Sequence, residues 1–319
     1  MTVFPLANRT RLLTRPGLER DVAQVAQQIR EGRFQRGLSL IAGLASLLSG
    51  FEAAEEHYRA GYGLQIMYTP VLISPLLLIA GLWGVFSRRA ARTLLPIASI
   101  LTLIDGLAGF YFHIRNIARR PGGWRLPIVN VVMGPPLFAP VLFGLSGYLG
   151  LVASLLRRAD EPSAPLPGAA WLHLVPTGRE LLSLEQDVRE GRFQQQLAAV
   201  AAATALLSGV ESAYLHYKNA FLSRMEWTPV LVSPLVVAAG LGTIRSRTVA
   251  RTVLPLASLL AIADGTLGFY FHVRGMLRRP GGLRNGLYNL LYGPPPFAPL
   301  LLAAAGFMGL VASFLRRAG

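Results

Sequence analysis

Residues 93–114 read TLLPIASILTLIDGLAGFYFHI, and residues 252–273 read TVLPLASLLAIADGTLGFYFHV. Each stretch is about 22 residues long, enough for a helix to cross ~30 Å of hydrocarbon at ~1.5 Å per residue. Each carries one aspartate and one histidine in an otherwise apolar run: Asp105 with His113, and Asp264 with His272. The two stretches therefore predict a pair of equivalent membrane helices that keep the same ionisable residues.

The similarity extends far beyond these helices. Residues 30–159 and 189–318 align at a constant offset of 159 without a gap, and roughly half of the paired positions are identical. Most other pairs exchange one apolar residue for another. A comparison within one chain therefore separates the positions that changed from those that were kept.

Composition places the chain in a membrane. It is 52% hydrophobic and 15% charged, with a mean hydropathy of +0.44, which is too apolar for a soluble domain of this length. The apolar segments do not alternate in polarity as the strands of an outer-membrane barrel do. We expect an all-α integral membrane protein with eight transmembrane helices, near residues 37–58, 70–86, 93–114, 137–156, 196–217, 229–245, 252–273 and 296–315.

An even number of helices in each unit gives both units the same orientation in the bilayer. They are therefore expected to be parallel repeats of four helices, related by a pseudo-two-fold axis along the membrane normal. The predicted segments are a cytoplasmic amphipathic N-terminal segment (1–36), the first repeat (37–158), a cytoplasmic linker with a second amphipathic helix (159–195), and the second repeat (196–319).

Charge indicates the orientation. The net charge is +15, and about two thirds of the 31 Lys and Arg residues lie on the side of the N-terminus, which we name side A. The positive-inside rule makes side A cytoplasmic, with both termini, and side B extracytoplasmic, in a multi-pass protein of the cytoplasmic (inner) membrane. No nucleic-acid fold signature accompanies the charge, so the expected partners are anionic lipid and a protein in a membrane complex.

Four ionisable residues inside apolar segments recur in the second unit. Burying such a group costs at least ~2.5–3.5 kcal/mol on insertion scales, so kept examples predict function. The neighbouring Glu55 and Glu56 became Tyr214 and Leu215, which marks them as dispensable. We expect the histidines of a unit near side B, with the carboxylates a turn or two deeper. The recurring residues are Glu52, His57, Asp105 and His113, and Glu211, His216, Asp264 and His272.

A long side-B connection between the third and fourth helices of each unit is also kept. It reads RNIARRPGGWRLPIVNVVMGPPLFAP from residue 115 and RGMLRRPGGLRNGLYNLLYGPPPFAP from residue 274. Proline and glycine alone indicate a rigid turn, but they do not explain kept arginines. Haem propionates, anionic headgroups or a partner protein are the expected ligands of Arg115, Arg119, Arg120, Arg274, Arg278 and Arg279.

Three explanations fit this set of residues. Paired histidines can ligate haem b, for which Gly109 leaves room beside the helix, or two histidines and two carboxylates can bind one non-haem metal. Alternatively, histidine binds a quinone carbonyl while Asp and Glu relay protons, or the His–carboxylate pairs are structural hydrogen bonds between helices. The absence of cysteine excludes thiolate-held iron–sulfur clusters and haem attached through C-x-x-C-H.

Two four-helix units resemble, in architecture alone, the membrane subunits of polysulfide-reductase type, which exchange electrons or protons with quinone. We expect a membrane-integral redox subunit that binds haem or quinone near the extracytoplasmic face and passes electrons between a partner protein and the quinone pool. The alternatives are a proton-coupled transporter or channel and a non-catalytic scaffold subunit. Whether the chain is itself an enzyme stays open at this point.

Overall fold

A computed structural model describes residues 16–31, 33–158 and 178–315. Within these ranges the regular structure is helical, and no strand occurs. The predicted amphipathic segments contain helices α1 and α8, while the linker residue His173 lies outside the described residues. The α-helices are α1 (Pro16–Arg30), α2 (Gln35–Arg59), α3 (Thr69–Phe86), α4 (Arg88–Arg92), α5 (Leu94–Ala118), α6 (Pro127–Val132), α7 (Ala139–Leu155), α8 (Gly178–Arg189), α9 (Gln194–Lys218), α10 (Thr228–Gly242), α11 (Arg247–Arg251), α12 (Val253–Leu277), α13 (Gly286–Tyr292) and α14 (Ala298–Phe314).

The helix bounds follow the sequence repeat. Both ends of α2, α5 and α7 recur at an offset of 159 in α9, α12 and α14. Helix α10 ends earlier than its counterpart α3, and hydrogen-bonded turns continue from it through Arg245. The last residue of α10 is Gly242, and the equivalent residue of α3 is Trp83. Helix α10 ends earlier because glycine is a poor residue for continuing a helix.

Each unit is a ring of four long helices. Helix α2 packs against α3 and α7, and α5 packs against the same two helices; α9, α10, α12 and α14 repeat this pattern. Glycine allows the close approach of α5 and α7, because a Cβ atom at Gly106 would lie 2.5 Å from the Cα atom of Gly144. Small residues at such crossings are typical of helices that associate within a bilayer.

The amphipathic helices join the two units. Helix α1 precedes the first unit but contacts α14, and α8 precedes the second unit but contacts α7. Ile29 of α1 and Val188 of α8 are buried in the common hydrophobic core. The end of α1 also approaches the second unit, because the carbonyl oxygen of Arg30 lies close to Gly191. A Cβ atom added at Gly191 would lie only 2.4 Å from that oxygen. The shared REGRFQ sequence therefore lies where the units meet.

The outer surface of the bundle is apolar. Leu72 on α3 is 69% exposed, Leu107 on α5 is 61% exposed and Leu256 on α12 is 65% exposed. Large apolar side chains exposed along helix after helix would be unfavourable in water, whereas hydrocarbon chains cover them without such a penalty. The exposed leucines therefore indicate a lipid bilayer around the bundle.

Six segments are long and apolar enough to cross a membrane: Gln35–Arg59, Gln65–Phe86, Arg88–Ala118, Gln194–Lys218, Arg224–Gly242 and Val253–Leu277. Helices α7 and α14 are apolar but shorter. The prediction of a multi-pass, all-helical membrane protein is thus confirmed for the described part of the chain, while the predicted eight crossings are matched by six helices of sufficient length.

Candidate functional site

The two histidines of the first unit are fixed by backbone carbonyl groups. The Nδ1 atom of His57, near the end of α2, lies 2.6 Å from the carbonyl oxygen of Met67. The Nδ1 atom of His113, on the last turns of α5, lies 2.6 Å from the carbonyl oxygen of Pro136. A carbonyl oxygen only accepts, so Nδ1 carries the proton in both rings and a neutral ring has its lone pair on Nε2.

The second unit repeats this arrangement. The Nδ1 atom of His216 lies 2.8 Å from the carbonyl oxygen of Glu226, and that of His272 lies 2.6 Å from the carbonyl oxygen of Pro295. Each histidine therefore connects its helix to the segment that leads into the next long helix. The same hydrogen bond orients each ring, as the outer hydrogen bond of a ligating histidine does.

The structure brings the two histidines of a unit together. The ring centroids of His216 and His272 are 6.4 Å apart, with an angle of 65° between the ring planes. In the first unit, His57 interacts electrostatically with His113. Two rings from different helices thus meet near one end of each four-helix unit, as the kept positions predict.

One aspartate joins each histidine pair. The hydroxyl group of Thr69 donates to Oδ1 of Asp105 at 2.5 Å, and Asp105 interacts electrostatically with His57. Asp264 has the equivalent relationships with Thr228 and His216. The threonines were not among the predicted site residues, although the TPV sequence that starts α3 and α10 recurs in both units and was the available signal.

The kept glutamates lie elsewhere. The charged groups that act on Glu52 are carboxylates, foremost that of Glu211 in the other unit. Glu211 in turn interacts with Glu56. The expected layer of two carboxylates below the histidines is therefore correct for the aspartate but not for the glutamate. Residues five apart on a helix at ~100° per residue point about 140° apart, so a helix that directs His57 into its own unit directs Glu52 towards the other unit.

A strained aromatic residue borders each pair on one side. The ring of Tyr62 meets His57 edge-on at 6.0 Å and stacks on Tyr68 at 4.2 Å. In the second unit, Phe221 meets His216 at 6.1 Å and stacks on Trp227 at 4.1 Å.

The backbone at this aromatic position is unusual. Tyr62 has a φ of +47° and Phe221 has a φ of +46°, a region that side chains of this size rarely adopt. Such strain persists where the surrounding structure enforces it, and it is common at functional sites. No sequence pattern predicts this strained turn.

The side-B loop contains a structural part that explains four of its kept residues, Pro121, Gly122, Gly123 and Asn130. Gly122 and Gly123 have φ angles of +81° and +47°, in the left-handed region that favours glycine. The buried Asn130 donates through Nδ2 to the carbonyl oxygens of Pro121 and Gly123, at 3.1 and 2.8 Å. Asn289 binds the second loop in the same way. The Pro-Gly-Gly turn and its asparagine are thus a rigid unit.

The loop arginines are divided by exposure. The side chains of Arg115, Arg119, Arg274 and Arg278 are exposed, so headgroups or a protein can reach them. Arg120 and its counterpart Arg279 are half-buried, and the Nε atom of each has no hydrogen-bond partner within the described residues. The Pro-Gly-Gly turn does not account for this set of guanidinium groups.

Two features of the described residues bear on the hypotheses of a bound metal and a bound haem. Among the described residues, no three His, Asp or Glu side chains are grouped so that they could hold a metal ion. The expectation that Gly109 leaves room for a macrocycle is wrong: a Cβ atom at Gly109 would lie 2.9 Å from the Cβ atom of Pro140. Gly268 faces Pro299 in the same way, at 2.8 Å. Both glycines serve the contact between helices.

An apolar cleft opens beside the first histidine pair, where the two units meet. Its volume is about 340 Å³. The end of α2 and the following turn form one wall, and α13 of the second unit forms the other. The cleft is lined by Phe51, Tyr58 and Tyr62 on the first wall and by Leu287, Leu290 and Leu291 on the second.

No protein-family model, no curated protein and no solved structure matches this chain.

Proposed function

We propose that the protein is an eight-helix subunit of the cytoplasmic membrane, made of two parallel four-helix repeats with both termini cytoplasmic. Helices α7 and α14 count as crossings because their 17 residues meet the lower length limit of about 17. Each also packs against two long helices of its own unit, so much of its surface contacts protein rather than lipid. The arginine-rich side A faces the cytoplasm.

The function we propose is electron exchange between a partner protein on side B and the quinone pool. A quinone takes two electrons from the partner's redox centre and two protons, one for each ring oxygen, and becomes a quinol; the reverse reaction returns both. The chain supplies the binding site and the proton-handling groups. The electrons come from the partner and pass to a quinone at the same face of the membrane.

The observation that carries this proposal is the common state of the four histidines. Each has Nδ1 bound to a loop carbonyl, which leaves Nε2 for a ligand. A neutral Nε2 accepts the proton of a quinol hydroxyl, and a protonated Nε2 donates to a quinone oxygen. Asp105 interacts electrostatically with His57, and Asp264 with His216, so each histidine pair has a carboxylate beside it that can take part in proton transfer.

A quinone suits this arrangement better than a haem. A quinone ring needs hydrogen-bonding groups beside an apolar space, and such a space of about 340 Å³ is lined by Tyr62, whose ring contacts His57. A haem needs a slot for its macrocycle, and prolines occupy the place beside Gly109 and Gly268. The exposed arginines Arg119 and Arg278 stand on the loops that a side-B partner would meet.

Proton-coupled transport is the second candidate. The electrostatic effect of Glu211 on Glu52 across the two units favours it, since carboxylates near each other within the membrane are typical of proton pathways. Replacing both glutamates by glutamine separates the two functions. Quinone binding should survive the change if the glutamates belong to a separate proton path.

The direct test is equilibrium binding of decylubiquinone and menadione to the full chain in lipid nanodiscs. The double variant His113→Ala with His272→Ala should lose most of its affinity for both quinones. His173→Ala, which changes the linker histidine, is the control and should bind as the unaltered chain does. Equal binding by the unaltered chain, the double variant and His173→Ala would show that His113 and His272 do not contribute to quinone binding.

A further inference from the structure

The inter-unit cleft is connected to the first histidine pair by one residue. Tyr62 lines the cleft, its ring contacts His57, and its hydroxyl group donates to the carbonyl oxygen of Ala54 at 3.2 Å. Burial and the neighbouring Tyr68 raise the pKa of Tyr62, so its hydroxyl group stays protonated at neutral pH. A ligand in the cleft would therefore meet a hydroxyl group beside the imidazole of His57, and this group donates to the ligand once its proton turns away from the carbonyl oxygen of Ala54.

The lining of the cleft is not repeated in the chain. Only Ala54 and Tyr58 have identical counterparts, Ala213 and Tyr217. The Tyr62 hydroxyl group in particular is lost, because the second unit has Phe221 at the equivalent position. The other exchanges are Phe51 to Val210, Glu55 to Tyr214, and Leu287, Leu290 and Leu291 paired with Ile128, Val131 and Val132.

The one carboxylate that lines the cleft has an ion-pair partner. Glu55 lines the cleft, is buried, and forms an ion pair with Arg59 one turn further along α2. Neither residue is kept, since Tyr214 and Lys218 occupy the equivalent positions. A buried carboxylate survives next to an apolar cleft when it has such a partner. The residues that line the cleft thus differ from the equivalent residues of α9 and α6 in both hydrogen-bonding groups and charge.

We propose that the inter-unit cleft between α2 and α13 is the quinone-ring site, and that the equivalent residues of α9 and α6 do not bind quinone. This inference rests on the proposed function and makes the two repeats unequal: both keep the histidines, and one binds the substrate. A cleft of about 340 Å³ lies within the usual range of ligand sites, about 300–1,000 Å³. The three leucines of α13 offer an apolar path for the prenyl tail, and Leu287 is 72% exposed.

The repeat supplies a matched control for each test variant. Ala54→Phe places a ring in the cleft, and Ala213→Phe makes the same change at the equivalent position of the second unit. Tyr62→Phe removes only a hydroxyl group and copies the second unit, while Phe221→Tyr is the reverse exchange. All four are compared with the unaltered chain in nanodiscs, by binding of decylubiquinone and by mapping the peptides labelled with a photoreactive azidoquinone.

We expect Ala54→Phe to abolish binding and Tyr62→Phe to weaken it by up to about tenfold, the equivalent of one lost hydrogen bond. Ala213→Phe and Phe221→Tyr should bind as the unaltered chain does, and the label should lie on α2 and α13. Tyr62→Phe changes no backbone or volume that the fold needs, so its result stands even if Ala54→Phe fails to fold.

Three results would overturn the inference. Equal losses in Ala54→Phe and Ala213→Phe would show two equivalent sites. Unchanged binding in Ala54→Phe and Tyr62→Phe, with binding lost in the histidine variants, would show that the quinone ring binds outside the cleft. That result would leave the proposed function intact. No quinone binding by the unaltered chain, with phospholipid alone in the cleft, would reject the proposed function as well.

Discussion

The Nδ1 atom of His113 donates to the carbonyl oxygen of Pro136 at 2.6 Å, which ties the end of α5 to the loop before α7. The same hydrogen bond links His272 to Pro295. A histidine kept in both units thus has two separable roles. Its Nδ1 atom fixes a loop, and its Nε2 atom is available to a ligand.

Asparagine at position 113 should separate these roles. Its amide nitrogen is as many bonds from Cα as Nδ1 is, so His113→Asn keeps the donor to Pro136 and removes Nε2. His113→Ala leaves that carbonyl without its donor and should lower the free energy of unfolding by about 1–3 kcal/mol. We expect His113→Asn to retain most of the stability, measured by thermal unfolding in detergent, yet to bind quinone as poorly as His113→Ala.

Stability that falls equally in both variants would mean that the Nδ1 bond is not what fixes the loop. Quinone binding retained by His113→Asn would assign the histidine a structural role alone.

The bond from Thr69 to Asp105 should stabilise the first unit measurably. Thr69→Val keeps the shape of the side chain and removes the hydroxyl group, and hydrogen bonds between membrane helices contribute about 0.6–1.7 kcal/mol. We expect a loss of that size in the free energy of unfolding, and recovery in Thr69→Ser. The control is Thr266→Leu, which copies Leu107 and removes only a bond to the carbonyl group of Ile262 in the same helix. A Thr69→Val protein as stable as Thr266→Leu would contradict the role of the Asp105 bond.

The contact of α5 with α7 at Gly106 should tolerate no added side chain. A Cβ atom there would lie 2.5 Å from the Cα atom of Gly144 and 2.7 Å from the carbonyl oxygen of Pro140, both backbone atoms. We expect Gly106→Ala to lower the unfolding free energy by at least about 1–3 kcal/mol. Gly37→Ala is the control: nothing lies within 4 Å of its Cβ position in α2, so alanine should be neutral or stabilising there. Equal unfolding temperatures for the two variants would show that α5 and α7 are further apart.

The number of crossings can be measured directly because the chain has no cysteine. Single cysteines are introduced as Arg89→Cys, Arg125→Cys and Ser163→Cys and treated with a membrane-impermeant maleimide in intact cells. We expect labelling at Arg125→Cys alone, with the other two labelled only after lysis. Labelling of both Arg125→Cys and Ser163→Cys would show that α7 does not cross. Labelling of Arg89→Cys and Ser163→Cys without Arg125→Cys would show the opposite orientation.

The repeat was sufficient to predict the helices and the histidine–aspartate sets. Kept positions such as His57 and Asp105 come together because both units use the same helix contacts, which a comparison within the chain reveals. It could not place Glu52, because the side to which a helix turns a residue depends on the packing between units. The inter-unit cleft was unpredictable for the same reason, since its two walls come from parts of the repeat that are not equivalent.

The structural role of the kept glycines could not be predicted from the sequence either. A kept glycine is compatible with empty space and with close packing, and the sequence does not distinguish the two at Gly109. The structure does, because Pro140 occupies the position beside it. The same ambiguity applies to the side-B loop, where the φ angles of Gly122 and Gly123 show that backbone conformation is the reason for both residues.

The central claim is that the Nε2 atoms of the kept histidines bind a quinone. The most direct measurement is decylubiquinone binding and the visible absorption spectrum of a variant with asparagine at His57, His113, His216 and His272, beside the unaltered chain. The unaltered chain should be colourless and bind the quinone, and the variant should remain folded but bind none. Unchanged quinone binding by the variant, or a Soret band in the unaltered chain that the variant lacks, would contradict it.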